Sequence, residues 1–138
     1  MSDVPDVLFV CVHNAGRSRM AEALFTRAAG DRYRAGSAGT MPAAHPHPEV
    51  VAALAEIGIE LADTPGSLLS ADLADDAGRL ISMGCNIEEA CPATSTPMED
   101  WALEDPKGQP IEKVRAIRDD IAARVDALIA ELDGARPA

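Results

Sequence analysis

The feature that most constrains this chain is a strand, a glycine-bearing loop and a helix in immediate succession near its start. Asp6-Val7-Leu8-Phe9-Val10 is a short apolar, β-branched run of the kind buried in a parallel sheet. Ser18 to Ala29 is rich in Ala, Met, Leu and Glu, the composition of a helix. Between them lies Cys11-Val12-His13-Asn14-Ala15-Gly16-Arg17-Ser18. A loop that opens onto a helix N-terminus presents unpaired backbone N–H groups and the positive end of the helix dipole, both of which favour an anion. Gly16 lets the backbone approach closely, and Arg17 adds a planar fork of donors. Cys11 through Ser18 thus reads as a cradle for a tetrahedral oxyanion. Its thiol stands in front, where donors favour the reactive thiolate, and the Ser18 hydroxyl is placed to donate to that sulfur.

The rest of the chain alternates strand and helix signals. Tyr33 to Gly39 reads as a second strand ending in a tight Gly/Ser turn, after a helix stop at Gly30-Asp31. Met41 to Pro48 is loop by its prolines. Pro48 suits a first helical position, and Val50, Val51, Leu54 and Ile57 recur at helical spacing. Ser70 reads as a helix cap, Arg79 to Met83 as a third strand, and Met98 to Leu103 as a fourth, with Trp101 as core packing. Ile111, Val114, Ile117, Ile121, Val125, Leu128 and Leu132 form a long apolar stripe, beyond which 133–138 reads as a frayed tail. This pattern predicts an α/β architecture in one domain over residues 1–138: a four-stranded parallel sheet with helices on both faces.

Several function classes are excluded by composition. A net charge of −11 disfavours nucleic acid and anionic membrane surfaces as partners. It does not disfavour a small anion, because at physiological salt a charge is screened beyond about 8 Å and the nearest donors decide binding. No apolar run reaches the roughly 20 residues of a membrane span, and the first residues lack a signal-peptide pattern, so a cytoplasmic, soluble protein is expected. Cys11, Cys85 and Cys91 are an odd count, which disfavours a structural disulfide framework and favours catalytic or redox use. Cys85 follows the third strand as Cys11 follows the first, so both belong at the carboxyl rim of the sheet, where ligand chemistry gathers. His45 and His47, flanked by prolines and without a third ligand nearby, read as solvated loop residues, and no metal is expected.

Val7 to Glu22, Ala35 to Thr40, Met83-Gly84-Cys85 with Cys91-Pro92, and Trp101 to Gly108 together resemble the arsenate reductases that share the fold of the low-molecular-weight protein tyrosine phosphatases. The resemblance covers nearly the whole chain. It implies a flavodoxin-like sandwich with strand order 2-1-3-4. Carried over residue by residue, it makes Cys11 the nucleophile, Arg17 the oxyanion-binding arginine, Ser18 the supporting hydroxyl, Asn14 a residue that holds the loop in shape, and Asp105, before Pro106, the acid that protonates the departing oxygen. The loop residues Val12, His13, Asn14, Ala15, Gly16, Arg17 and Ser18 would bind the oxyanion. The implied activity is conversion of arsenate to arsenite through a Cys11–arsenic adduct and a thiol/disulfide cascade through Cys85 and Cys91. No tightly bound cofactor is implied. The electron donor would be external, either thioredoxin or a mycothiol/mycoredoxin system, with phosphate or sulfate as substrate mimics and a monomeric protein. Potassium dependence is not implied, because Ser67 stands where some members carry an Asp that helps hold the ion.

Two other readings use the same residues. A tyrosine phosphatase would need Cys11, Arg17, Asp105 and water, but aromatic residues, with which to wall a phosphotyrosine ring, are only 3% of this chain, and Lys107-Gly108 follow the Asp-Pro pair. An oxyanion-sensing module would need the thiols but not Asp105. For the cascade itself, a regular helix from 85 to 91 would part the two Cα atoms by roughly 9 Å, beyond disulfide reach, so that segment must loop or unwind.

Overall fold

Strand β1 (Val7–Cys11) is buried at every position, as its unbroken apolar run predicts, and it lies at the centre of the sheet. The structure, a computed structural model, describes residues 5–83, 98–101, 103–104 and 106–135. Around β1 the chain forms α1 (Arg17–Ala29), β2 (Ala35–Gly39), α2 (Pro48–Ala55), α3 (Ala71–Asp76), β3 (Arg79–Ser82), β4 (Met98–Asp100) and α4 (Ile111–Ala135). The four strands run parallel in the order β2-β1-β3-β4, the order expected. The register pairs Cys11 with Gly39 and Val10 with Ser82, so the carboxyl ends of the three adjacent strands make one rim.

Alternation along β1 separates two apolar layers. Val7, Phe9 and Cys11 face the larger one, which is filled by Met20, Phe25 and Leu54 and by the stripe of α4. Leu8 and Val10 face a smaller one with Leu80, Leu69 and Ala74 beneath α3. Helices therefore cover both faces. Phe9 is wholly enclosed, its ring 5.9 Å from that of Phe25 and 5.7 Å from that of Trp101. Trp101 is core, as predicted, with 3% of its surface exposed.

Local rules account for the helix ends. Ser70 caps α3, its Oγ accepting from the Leu73 N–H at 3.1 Å. Pro48 opens α2, as expected. Strand and helix ends shift from the sequence reading by a residue or two in several elements, and two of the differences bear on the core. Strand β4 stops at Asp100 rather than Leu103; the Trp101 N–H makes the last ladder bond, to the Ser82 carbonyl at 2.7 Å, and its ring lies in the core. Helix α4 continues to Ala135, past the end of its apolar stripe at Leu132. Asp133 holds this extra turn, accepting from the Tyr33 hydroxyl at 2.7 Å and from Arg32 at 2.5 Å. Among the described residues no helix is long and apolar enough to cross a membrane.

Polar ties join the layers. Arg118, nearly buried, donates to the Ala53 carbonyl at 2.7 Å and to Glu56 at 3.0 Å. Glu56 also receives a fork from Arg115, and the two guanidiniums hold its carboxyl below the ordinary carboxylate range, with the Arg115 hydrogen bonds the larger cause. Glu22 on α1 accepts from the Ser37 hydroxyl on β2. Burial pushes the Glu22 carboxyl above its ordinary range, against the opposing pull of that hydrogen bond and of Arg19.

Two measurements test this account. Phe9→Ala removes the ring that joins Phe25 to Trp101 and should lower unfolding free energy by about 3–5 kcal/mol in urea titration, since a buried phenyl leaves a cavity. Glu22→Gln should raise the melting temperature at neutral pH. A carboxyl whose folded value is raised contributes stability that is full in acid and lost as pH rises through that value. The difference from the parent protein should accordingly close toward about pH 4, near the unfolded glutamate value.

Candidate active site

The loop after β1 turns back over the rim, and its shape is set by three backbone ties from the segment that follows β2. The N–H groups of Met41, Ala43 and His47 each donate at 2.8 Å, to the carbonyls of Val12, His13 and Ala15 respectively. A trans peptide plane points its N–H opposite to its C=O. Drawing those three carbonyls outward therefore turns the N–H groups of His13, Asn14 and Gly16 toward the other side of the loop. On that side lies a small pit lined by Cys11, His13, Gly16, Arg17 and His47. The loop closes into α1, whose first turn begins at Arg17 with Gly16 as its cap residue.

Close approach needs glycine in two flanking segments. A Cβ on Gly39 would stand 2.5 Å from the Val12 carbonyl oxygen and 2.9 Å from the Asn14 nitrogen. A Cβ on Gly66 would stand 3.0 Å from the Asn14 and His13 carbonyl oxygens. Gly39 was legible as part of a glycine-rich strand. The role of Gly66, in what reads as an unremarked connection, was not, and its only signal is the preceding Pro65.

Cys11 sits at the floor of the pit, with 3% of its surface exposed and its Sγ 2.8 Å from the Ser18 Oγ. Either atom can donate in that contact, and the neighbours favour Ser18 as donor once the sulfur is anionic. The Ser67 N–H can only donate, and it reaches the Asn14 side chain at 2.8 Å, so the Asn14 oxygen faces Ser67. The Asn14 amide nitrogen must then face Ser18, and it donates to the Ser18 Oγ at 2.8 Å. With that lone pair occupied, the Ser18 proton is free to point at sulfur. The chain Ser67, Asn14, Ser18, Cys11 is thus polarised to place a donor on an anionic sulfur. Asn14 also adopts φ 48°, a left-handed conformation that asparagine tolerates and most side chains do not.

Arg17 extends over the pit from the start of α1 and donates to the Leu103 carbonyl at 2.8 Å. It thereby ties the cradle to the segment leading to Pro106, whose ring lies 3.3 Å from where a Gly16 Cβ would be. The structure thus brings Cys11, His13, Gly16, Arg17 and Ser18 together as the sequence predicts, with Val12, Asn14 and Ala15 forming the frame behind them. Cys85, Cys91 and Asp105 lie outside the described residues. His45 is an exposed loop residue as expected, paired with Asp63 at 2.8 Å. His47 is not a solvated loop residue. It is partly buried against the cradle, its ring 3.0 Å from a Gly16 Cβ position, because its own N–H is tied to Ala15. Among the described residues no cluster of three or more His, Cys, Asp or Glu is arranged to hold a metal ion.

Asn14→Ala tests the frame. It removes two buried hydrogen bonds and leaves a left-handed backbone without its tolerant residue, so phosphate affinity measured by calorimetry should fall by about a hundredfold. Asn14→Gly should recover part of the loss, because it restores the backbone freedom but not the bonds.

This geometry has relatives. Residues 6–137 match the family model described as low molecular weight phosphotyrosine protein phosphatase. A Halobacterium salinarum protein carrying the provisional name arsenate reductase is 41% identical over 130 residues, 91% of each chain. Among solved structures, a thioredoxin-dependent arsenate reductase from Corynebacterium glutamicum superposes with a TM-score of 0.80 at 34% identity, over 98% of this chain and 65% of that longer one. An arginine phosphatase from Geobacillus stearothermophilus superposes with a TM-score of 0.77 at 31% identity, over 94% of each. With the family model matching residues 6–137, nearly its whole length, the chain belongs to the low molecular weight phosphotyrosine protein phosphatase family.

Proposed function

We propose that this protein reduces arsenate to arsenite. The observation that carries the choice of substrate is where its aromatic residues go. The chain has two Phe, one Tyr and one Trp. Phe9, Phe25 and Trp101 are core. Tyr33 precedes β2 at the opposite end of the sheet from Cys11, bonded to Asp133. No aromatic side chain is left to flank a phosphotyrosine ring at the pit. A bare oxyanion needs no such wall, since its recognition is by amide N–H groups and a guanidinium.

In this reading the Cys11 thiolate attacks arsenic while Asp105 gives a proton to the departing oxygen, which leaves as water and a sulfur–arsenic bond remains. The Cys85 thiolate then attacks the Cys11 sulfur. The sulfur–arsenic bond breaks with its electron pair going to arsenic, which leaves as arsenite, and a Cys11–Cys85 disulfide takes its place. Cys91 attacks Cys85, frees Cys11 as thiolate and forms a Cys85–Cys91 disulfide. An external dithiol reduces that bond and supplies the two electrons. The name of the Corynebacterium relative favours thioredoxin as that dithiol; the alternative is the monothiol mycothiol, which would form a mixed adduct on Cys11 for a mycoredoxin to resolve. Phosphorus bound to sulfur is not reduced by a second thiol, so phosphate occupies the cradle without turnover.

A phosphatase reading is favoured by one observation, the similarity to the arginine phosphatase over 94% of both chains. The two are separated by product. Arsenite formed from arsenate with thioredoxin, thioredoxin reductase and NADPH, or with the mycothiol system, supports reduction; aryl phosphate turnover without arsenite supports the phosphatase. Cys11→Ser should abolish either activity. Cys91→Ser should release one equivalent of arsenite per enzyme and then stall with thioredoxin. Full multiple turnover by that variant would remove Cys91 from the cycle.

A further inference from the structure

The geometry points to His47 as a specificity-determining residue: its imidazole roofs the cradle and walls it off from an apolar groove beside it, so that an unesterified tetrahedral oxyanion fits and a phosphate ester does not. This inference rests on the pit around Cys11 being the substrate site.

The placement of the ring follows from the backbone. His47 is the cap residue of α2 and precedes Pro48, which restricts it to the extended conformation seen, φ −65° and ψ 132°. Its N–H donates to the Ala15 carbonyl at 2.8 Å, and its own carbonyl accepts from Val50 at 3.0 Å and Val51 at 3.1 Å. Held on both sides, the residue has its backbone fixed. Its side chain lies with Cδ2 3.0 Å and Nε2 3.6 Å from the position a Gly16 Cβ would take, and the Pro106 ring approaches the same position at 3.3 Å. Gly16 is therefore covered by both rings, and its lack of a side chain is what lets them close over the loop.

His47 lines two hollows at once. One is the pit with Cys11 and Arg17. The other is a groove of about 830 Å³ on the outer side, walled by Pro46, Val51, Ala52, Ala55 and Leu61. The ring is the partition between them. An unesterified arsenate or phosphate carries only oxygen at its fourth position, and an imidazole N–H is a suitable neighbour for it. An ester carries a carbon on that oxygen, and the carbon has to extend across the space the ring fills. The groove beyond is apolar and large enough for an aryl group. Removing the partition joins the two hollows and gives an ester's organic part somewhere to lie.

The test compares inorganic phosphate with phenyl phosphate. Binding is measured by calorimetry in a Cys11→Ser background, so that it does not depend on turnover. His47→Ser opens the roof and keeps a good helix cap, so the fold is retained; His47→Gln keeps most of the bulk. In His47→Ser the affinity for phenyl phosphate relative to phosphate should rise by at least about tenfold, the discrimination expected of a small change in pocket volume. His47→Gln should stay within about twofold of the parent ratio. An unchanged ratio in His47→Ser overturns the proposal, as does an equal rise in both variants, which would trace the effect to the ring nitrogens instead of the partition. With Cys11 intact, the same proteins are assayed for arsenite. A shifted ratio in a protein that makes no arsenite would refute reduction and uphold the roof, whereas arsenite production with an unshifted ratio would do the reverse.

Discussion

Everything at the rim depends on the hydrogen bond between Ser18 and Cys11, and that bond depends on Asn14. A serine beside a cysteine can donate or accept, and in isolation neither sense is fixed. Here the neighbours favour one sense: the Ser67 N–H sets the orientation of the Asn14 amide, which donates to the Ser18 oxygen and leaves the Ser18 proton available to an anionic sulfur. All three side chains are buried, so water does not compete for the donors. The arrangement is useful only to a sulfur that carries negative charge at some stage, as attacking nucleophile or as leaving group. Structural economy would not require a buried Asn in a left-handed conformation to serve an inert thiol.

Apart from the Asn14 side chain, the frame that holds this chain is built by backbone. Met41, Ala43 and His47 donate to the loop through their main-chain N–H groups, and Gly39 and Gly66 bring β2 and the segment after α2 into contact with it. Such a frame tolerates wide variation in sequence so long as the glycines and the path of the chain persist. Relatives 31% to 41% identical accordingly match along most of this chain. Electrostatics follow the same local logic. With a net charge of −11 the molecule repels anions at a distance, yet amide N–H groups and a guanidinium act within a few ångströms, well inside the screening length.

The parts of the fold carried by periodicity were legible in the sequence. The apolar run of β1, the stripe of α4 and the Ser70 cap could each be read within a few residues, because period and capping are local signals. The cradle was legible for the same reason, since Cys11, Gly16, Arg17 and Ser18 lie within one loop and one helical turn. What escaped was non-local. The last turn of α4 is held by Tyr33, a hundred positions before Asp133, and no periodicity announces it. His47 reads as a solvated histidine among prolines until the tie to Ala15 is known, and that tie joins residues on opposite sides of β2 in the chain. At Ser67 the sequence displays a side chain, whereas the structure uses its backbone N–H.

A cradle for a tetrahedral oxyanion does not by itself choose between hydrolysis and reduction, because both begin with the same attack by sulfur. The choice lies in what can approach afterwards. Hydrolysis requires water at phosphorus and an ester group that can enter and leave. Reduction requires a second thiol at the Cys11 sulfur, and it gains from excluding esters that would occupy the cradle unproductively. A closed roof of His47 and Pro106 over Gly16, with the Phe, Tyr and Trp rings all committed elsewhere, suits the second set of demands better than the first. Arg17 ties the cradle to the segment beside it, since the guanidinium placed to hold an anion also holds the Leu103 carbonyl.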